Sequence, residues 1–300
     1  MLLDQKPEDP GIFVTQSVHK QQAGFSMTSQ VHKKDSHIKG QDRYVPHKRV
    51  NNAFMMHAST SPLYQLFAAL DVNAKMHEGE AGKKLWIEAV KIVIETRKQI
   101  LRNCHYIRPL VPPIVNGKKL EDGDTSIMAN ERDYWAFESV ANWLGFVGYS
   151  KGQYFIDPMK LQFVTCGIDI ENGGYEEFGI PSNILANYLR ENGIIPEKCD
   201  LNDILFLMTP AENKNKMDDL VAKLIHFEKL IDEDAPMAEV LPSIYKAYKD
   251  KYKGYTIRQL CQEMHDFYKD RKVFILQKHL FLHDYLPEYV INPQEAKYEF

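Results

Sequence analysis

The sequence predicts a mixed fold, partly α/β and partly α+β, with a largely helical C-terminal part. The first observation is the alternation of strand-length apolar runs with amphipathic segments over residues 161–231. The second is the region after "DEDAP" (232–236), where the apolar spacing becomes almost entirely helical. The third is a pair of short strand-like segments before residue 35.

The first elements along the chain are two short strands. "GIFVTQS" (11–17) is an apolar run that predicts a short buried strand. "FSMTSQVHKK" (25–34) alternates well enough to predict a second strand. Residues 35–53 are polar and basic, and we expect them to form a loop.

The next part of the chain is dominated by helical patterns. After an apolar run, Ser61 and Pro62 supply a plausible N-cap and first helical residue for one helix. From residue 80 to 101 a broad apolar stripe recurs at helical spacing, which predicts a long amphipathic helix. Residues 103–130 carry Pro and Gly and predict irregular structure.

The second half of the chain alternates strands and helices before it becomes helical. Apolar runs predict the strands, and Pro and Gly mark the ends of the first helix. The predicted elements are a strand at 161–168, a turn at 173–174, a helix at 181–193, a strand at 204–209, and helices at 214–231, 237–250 and 256–270.

The composition is that of an ordinary globular chain. Of 300 residues, 44% are apolar and 26% are charged, and the net charge is −4, which gives no general attraction to nucleic acid or anionic membrane. The apolar runs are too short to span a bilayer, and the start lacks the apolar core of a signal peptide. The scattered cysteines form no C-x-x-C pair, so we expect no disulfide or metal site and a cytoplasmic location.

A Ser-x-His-Lys cluster at Ser17, His19 and Lys20 is the first candidate site. A lysine amine becomes a nucleophile when its surroundings lower its pKa, and it can then hold an aldehyde cofactor as a Schiff base. A hydroxyl and an imidazole nearby suit a phosphate group on such a cofactor. The cluster alone is far more typical of a surface loop that contains a lysine, and this interpretation is favoured until a longer stretch of sequence is considered.

Longer stretches of the sequence extend this cluster along the chain. They are "SVHKQQAGFS", "HASTSP", "ALDVNAKMHEGE", "GIPSNILANYLRENGIIPEKCDLNDILFLMTPAE", "DAPMAEVLPSIYK", "GYTIRQLCQEMHD" and "NPQEAKY". On these stretches the sequence resembles the bacterial fold-type-I, pyridoxal-phosphate-dependent decarboxylases of ornithine, lysine and arginine. It is most similar to the ornithine branch, because Gln21 and Gln22 stand where the other branches tend to have two leucines.

The resemblance implies a division into three parts. Residues 1–75 would be the end of an incomplete aspartate-aminotransferase-like (fold type I) large domain that carries the reactive lysine. Residues 76–212 would form a small α/β domain, and residues 213–300 a truncated, largely helical C-terminal domain. The sequence would therefore be a piece of a larger enzyme.

The resemblance also implies the roles of the site residues. Lys20 would form the Schiff base with pyridoxal 5'-phosphate, and Ser17 and His19 would contact its phosphate. Thr60 and Ser61 would reach the cofactor site of a partner subunit, so a homodimer or a higher oligomer of dimers is expected. The implied reaction converts L-ornithine to putrescine and CO2, in polyamine synthesis or acid resistance.

Parts of the family's active site are not found in the sequence. The aspartate that pairs with the pyridine nitrogen and the histidine that stacks on the ring would precede Lys20, and a substrate-binding glutamate would follow Phe300. We therefore expect the chain alone to be inactive. One local departure is Met27, where relatives commonly have Gln.

Several alternatives remain open. The substrate could be lysine or arginine, or the chain could be a non-catalytic remnant that dimerises. The basic stretch from His32 to Arg49 is a candidate nucleic-acid-binding patch, but the negative net charge of the chain favours a solvated loop. His279 and His283 have zinc-pair spacing without a third ligand, and His265 beside Asp266 has no further support as a catalytic dyad.

Overall fold

A computed structural model gives the fold of most of the chain. It describes residues 4–22, 24–137, 148–150, 152–170, 172–281, 284 and 287–299. The chain divides into two compact units, which we call the first unit and the second unit. The first unit contains Met1–Ile92 and Leu207–Asn213, and the second contains Val93–Phe206 and Lys214–Phe300.

The described residues contain both helices and strands, as the sequence predicts. The strands are β1 (Ile12–Ser17), β2 (Ser29–Lys34), β3 (Ile107–Pro109), β4 (Ile114–Val115), β5 (Lys118–Lys119), β6 (Lys160–Thr165), β7 (Ile168–Asp169), β8 (Gly174–Tyr175), β9 (Lys198–Cys199) and β10 (Asp203–Leu207). The helices are α1 (Val18–Gln21), α2 (His47–His57), α3 (Tyr64–Met76), α4 (Gly79–Asn103), α5 (Thr125–Asn130), α6 (Ser182–Glu191), α7 (Lys214–Asp232), α8 (Met237–Val240), α9 (Pro242–Ala247), α10 (Lys249–Tyr252), α11 (Ile257–Asp270), α12 (Val273–Phe281) and α13 (Pro293–Glu299).

The first unit begins with an antiparallel pair of strands. β1 pairs with β2 from Ile12 opposite Lys34 to Ser17 opposite Ser29. The prediction of two strands is confirmed, but the prediction that the first is buried is wrong, since five of its six residues are exposed. No third strand joins this sheet among the described residues, and most side chains of both strands are exposed.

The helices of the first unit differ from the sequence prediction at two points. α2 begins inside the region predicted as a loop (35–53) and continues beyond it to His57. Pro46 occupies its N-cap position without a side-chain hydrogen bond. α3 begins at Tyr64 with Leu63 at the N-cap, so Ser61 and Pro62 do not start it as predicted. α4 confirms the long amphipathic helix predicted at 80–101.

The second unit is organised around a four-stranded sheet in the order β3-β6-β10-β9. β6 and β10 alternate buried and half-buried residues along their length, which places one side chain in two within the core. The predicted strand at 161–168 is interrupted at Cys166 and Gly167, where the chain turns into the β7–β8 pair. β3 is an edge strand, and its last residue, Pro109, has no backbone N–H that could bond to a further strand.

The apolar stripes of three helices supply much of the core of the second unit. The buried side chains include Val93, Ile94 and Ile100 of α4, Ile184, Leu185 and Leu189 of α6, and Leu224, Phe227 and Ile231 of α7. α6 and α11 both pack against α7. The helices predicted at 181–193 and 214–231 are therefore confirmed.

The C-terminal part is helical, but one predicted helix is broken. The segment predicted as one helix at 237–250 forms α8, α9 and α10, with non-helical backbone at Leu241 and Tyr248. Pro242 excludes helical backbone at the residue before it, which explains the first break. α11 is confirmed, and its N-terminus carries a capping box between Thr256 and Gln259.

No helix among the described segments combines the length and apolarity that crossing a bilayer requires.

The division into three domains at residues 75 and 212 stays a prediction.

Candidate functional site

The predicted reactive cluster lies where β1 passes into α1. Ser17 is the last residue of β1 and the N-cap of α1, but its side chain makes no capping bond. The chain turns here because Val18 is buried and the backbone N–H of Gln22 donates to the Val18 carbonyl at 3.1 Å. The Ser17 hydroxyl is therefore left exposed at the start of a single helical turn.

The His19 ring is held by a backbone carbonyl. Its Nδ1 lies 2.9 Å from the Thr28 carbonyl oxygen, which also accepts the His19 backbone N–H at 3.3 Å. Because a carbonyl only accepts, Nδ1 carries a proton and Nε2 is left as the second polar atom of the ring. Sequence reasoning did not identify Thr28, whose contribution comes from its backbone and whose side chain is buried.

Lys20 is exposed and follows His19 directly on α1. The structure thus places a hydroxyl, an imidazole and an amine on one short turn, with Ser17 at its N-cap and His19 and Lys20 within it. That these three groups serve one cofactor stays a prediction. The chemistry of this donor set fits an aldehyde that carries a phosphate. The amine suits the aldehyde, the Ser17 hydroxyl can donate to a phosphate oxygen, and His19 Nε2 can donate to one in the imidazolium form of the ring.

Thr60 and Ser61 lie apart from this cluster in sequence and on a different segment. Both are exposed in the connection between α2 and α3. The local order of this connection comes from the Ser59 hydroxyl, which contacts the Ser61 carbonyl and backbone N–H. In the described part of the chain, neither Thr60 nor Ser61 bonds to Ser17 or His19, and their predicted role toward a partner subunit stays a prediction.

A cavity of about 490 Å³ lies in the second unit, beside the strands β3, β6 and β7. Its lining includes Arg108, Thr165, Cys166 and Glu176. Burial raises the pKa of the Cys166 thiol to about 12, so the thiol is neutral at physiological pH. This cavity therefore offers no thiolate nucleophile.

Two other histidines considered in the sequence analysis, His265 and His279, each contact a nearby protein group. His265 is buried, and its Nε2 donates to the Glu176 carbonyl at 2.9 Å. His279 Nδ1 lies 2.6 Å from Asp284 Oδ2, while His283 is outside the described residues. Within the described ranges, no group of three or more His, Cys, Asp or Glu side chains is arranged to hold a metal ion.

Comparison with known proteins gives a consistent result. Residues 1–216 match the family model described as "Orn/Lys/Arg decarboxylase, major domain". The constitutive ornithine decarboxylase of Escherichia coli (strain K12) is 60% identical over 296 residues, which cover 99% of this chain and 42% of that relative. The ornithine decarboxylase of Haemophilus influenzae is 60% identical over 299 residues, which cover 100% of this chain and 42% of that relative.

A solved structure supports the same fold. Lysine decarboxylase A from Pseudomonas aeruginosa superimposes with a TM-score of 0.81 at 32% identity, over 96% of this chain and 37% of that one. This likeness confirms the predicted α/β and α+β class. The chain spans less than half the length of these relatives. On the match of residues 1–216, the chain belongs to the Orn/Lys/Arg decarboxylase family.

Proposed function

We propose that this chain is the lysine-bearing part of a pyridoxal-phosphate-dependent ornithine decarboxylase, which converts L-ornithine to putrescine and CO2. The observation that carries the proposal is the single turn that presents Ser17, His19 and Lys20 together. The choice of ornithine rests on relatives: those named ornithine decarboxylase are 60% identical, whereas a lysine decarboxylase structure is 32% identical.

Each residue of the cluster has a distinct task in this proposal. Lys20 holds the cofactor aldehyde through its amine, and Ser17 and His19 bind the phosphate. The bond from His19 Nδ1 to the Thr28 carbonyl directs the ring so that Nε2 is the atom left for the phosphate, to which it donates in the imidazolium form. When bound, pyridoxal phosphate supplies an electron-withdrawing ring that stabilises the negative charge left as CO2 departs.

The remaining proposals concern assembly. Thr60 and Ser61 lie on an exposed connection, as a segment that reaches a partner's cofactor site would. We therefore propose a homodimer, or an oligomer of dimers, in the intact enzyme. We also keep the division at residues 75 and 212 as a proposal for its domains.

The test is chemical trapping at Lys20. The purified chain is incubated with pyridoxal phosphate, reduced with borohydride, and digested for peptide mass spectrometry. We expect the pyridoxyl-phosphate mass on Lys20 in preference to other exposed lysines, and its loss from that peptide in Lys20→Ala. Lys39→Ala, a change at another exposed lysine of the first unit, should leave the label on Lys20 unchanged. Uniform labelling of surface lysines would favour the non-catalytic alternative.

The same preparation is assayed for CO2 release from ornithine, lysine and arginine. Because the chain spans 42% of its E. coli relative, we expect it to release none by itself. Release from ornithine would contradict this expectation and support the proposed substrate. Release from lysine or arginine would favour the second candidate, a decarboxylase of the same family with that substrate.

A further inference from the structure

The turn that carries Lys20 is too short to hold itself in place. α1 contains four residues, and the side chain of its N-cap, Ser17, makes no capping bond. Isolated helices shorter than about 12 residues are marginal in water. Contacts with other parts of the first unit therefore have to fix the direction of the Lys20 side chain.

Anchors lie on both sides of Lys20. Before it, Val18 is buried and His19 is tied to the Thr28 carbonyl at 2.9 Å. After it, the Gln22 side-chain oxygen accepts a hydrogen bond from Asn73 Nδ2 at 3.0 Å. This bond joins the end of the turn to α3, which lies 51 positions further along the chain.

Asn73 is itself firmly held. It is the buried residue of α3, although the other positions of that helix include many apolar side chains. Burial of a side-chain amide is unfavourable unless its polar atoms form hydrogen bonds. We therefore attribute the presence of Asn at this buried position to the hydrogen bonds that it makes. The backbone carbonyl of Asn73 accepts a hydrogen bond from His77 Nδ1 at 2.7 Å, and the His77 ring lies 5.7 Å from that of Trp86.

We propose that Asn73 is a positioning residue for Lys20, acting through the side chain of Gln22. The proposal rests on the proposed function, in which Lys20 takes the aldehyde and the residues before it bind the phosphate. Aldehyde and phosphate belong to one rigid molecule, so the amine has to stand at a set distance from the phosphate-binding side chains. Preorganisation of that distance gives the phosphorylated aldehyde its advantage.

A loosened turn would remove this advantage without removing the amine. The measurement is the ratio of two trapping rates at Lys20, one with pyridoxal phosphate and one with pyridoxal, each reduced by borohydride and quantified by peptide mass spectrometry. In the unaltered chain we expect the phosphorylated aldehyde to react faster. In Gln22→Leu and Asn73→Leu we expect the ratio to fall about fivefold, the effect of losing one hydrogen bond.

The pair is tested as a unit. If one bond carries both effects, the double variant should be no worse than either single variant. The exchanged pair, Gln22→Asn with Asn73→Gln, retains two amides of the same combined length and should recover part of the ratio. Gln22 is exposed, so Gln22→Leu opens no cavity and decides the question even where Asn73→Leu weakens folding.

Gln21→Leu is the matched control. Gln21 is the same residue type, next in the chain, and its side chain makes no hydrogen bond in the described part of the chain. In Gln21→Leu, the ratio of the trapping rates with pyridoxal phosphate and with pyridoxal should match that of the unaltered chain. Equal ratios in the unaltered chain, Gln22→Leu and Asn73→Leu, with Lys20 still preferred, would overturn the inference and leave the proposed function standing. No preference for Lys20 in the unaltered chain would overturn both.

Discussion

At the scale of single residues, Met27 carries local backbone strain close to the reactive lysine. Its φ is 71°, in the left-handed region, and its side chain is 70% exposed. Left-handed backbone costs a side-chain-bearing residue about 1–2 kcal/mol, while glycine loses about 0.5–1 kcal/mol of chain entropy. Met27→Gly should therefore raise the free energy of unfolding by about 0.5–1 kcal/mol, measured by urea denaturation.

Met27→Ala separates backbone from side chain. It removes most of the exposed side chain but retains a Cβ, so the strain at φ 71° stays. We expect its unfolding free energy to be close to that of the unaltered chain. An equal gain in Met27→Ala and Met27→Gly would show that the methionine side chain, not the backbone, is the source of any instability.

Two thiols with raised pKa values, Cys104 and Cys166, give a second prediction at this scale. Burial raises the pKa of Cys104 and of Cys166 to about 12, from the ordinary value of 9.0. The thiolate is the reactive form, so at pH 8 its fraction at each site is about a thousandfold lower than for an ordinary cysteine. We expect iodoacetamide to alkylate Cys199 before the buried Cys104 and the half-buried Cys166, and labelling of these two to increase as pH rises toward 12.

Mass spectrometry of the native chain checks this order, with the urea-unfolded chain as the control. Unfolding should make Cys104, Cys166 and Cys199 react at similar rates. Equal rates in the native chain would show that the second unit opens faster than the reagent reacts.

At the scale of elements, the sequence predicts those whose pattern is local. α4, α6, α7 and α11 carry apolar side chains at helical spacing, and each was predicted close to its observed bounds. The start of α2 was missed because residues 47–52 are mostly polar, and none of the residues of this helix is buried. The burial of β1 was overestimated because an apolar run does not say whether a second layer covers it.

The candidate site shows the same limit. Ser17, His19 and Lys20 are adjacent in sequence, so a motif can find them. Thr28 and Asn73 act on that turn through contacts that form only when the chain folds: one offers a backbone carbonyl, and the other lies on a separate helix. No sequence pattern marks either residue.

The link between α7 and β3 gives a prediction at the element scale. Glu228 is buried, and its carboxylate accepts the backbone N–H groups of His105, Tyr106 and Ile107 at 2.7–2.8 Å. In Glu228→Gln one oxygen becomes an amide nitrogen that faces a backbone donor. We expect the free energy of unfolding to fall by about 1–3 kcal/mol, the cost of a buried unpaired donor.

Glu233→Gln is the control for this change. Glu233 follows the last turn of α7, and its exposed carboxylate pairs with Lys229 at 3.5 Å. Exposed ion pairs contribute about 0–1 kcal/mol, so this variant should unfold almost as the unaltered chain does. Similar losses in both variants would mean that the three backbone bonds are not what Glu228 contributes.

At the scale of the whole molecule, the two units differ sharply in how much apolar surface they bury. Among the described residues, the buried apolar side chains of the first unit are Val18, Ile38, Ala89 and Met208. The second unit buries apolar side chains from its sheet and from α4, α6, α7 and α11. Large apolar side chains left exposed in the first unit include Phe25, Phe54, Met55, Met56, Leu63, Tyr64 and Phe67.

This difference predicts unequal local stability. Segments with few buried apolar contacts open at free energies well below that of global unfolding, and their amides then exchange with solvent. We expect hydrogen exchange, followed by mass spectrometry, to be faster in α2 and α3 of the first unit than in α6 and α7 of the second. The comparison is between helices, so backbone hydrogen bonding is matched and burial is the variable. Equal protection of the four helices would mean that the first unit is stabilised by something other than its own buried apolar side chains.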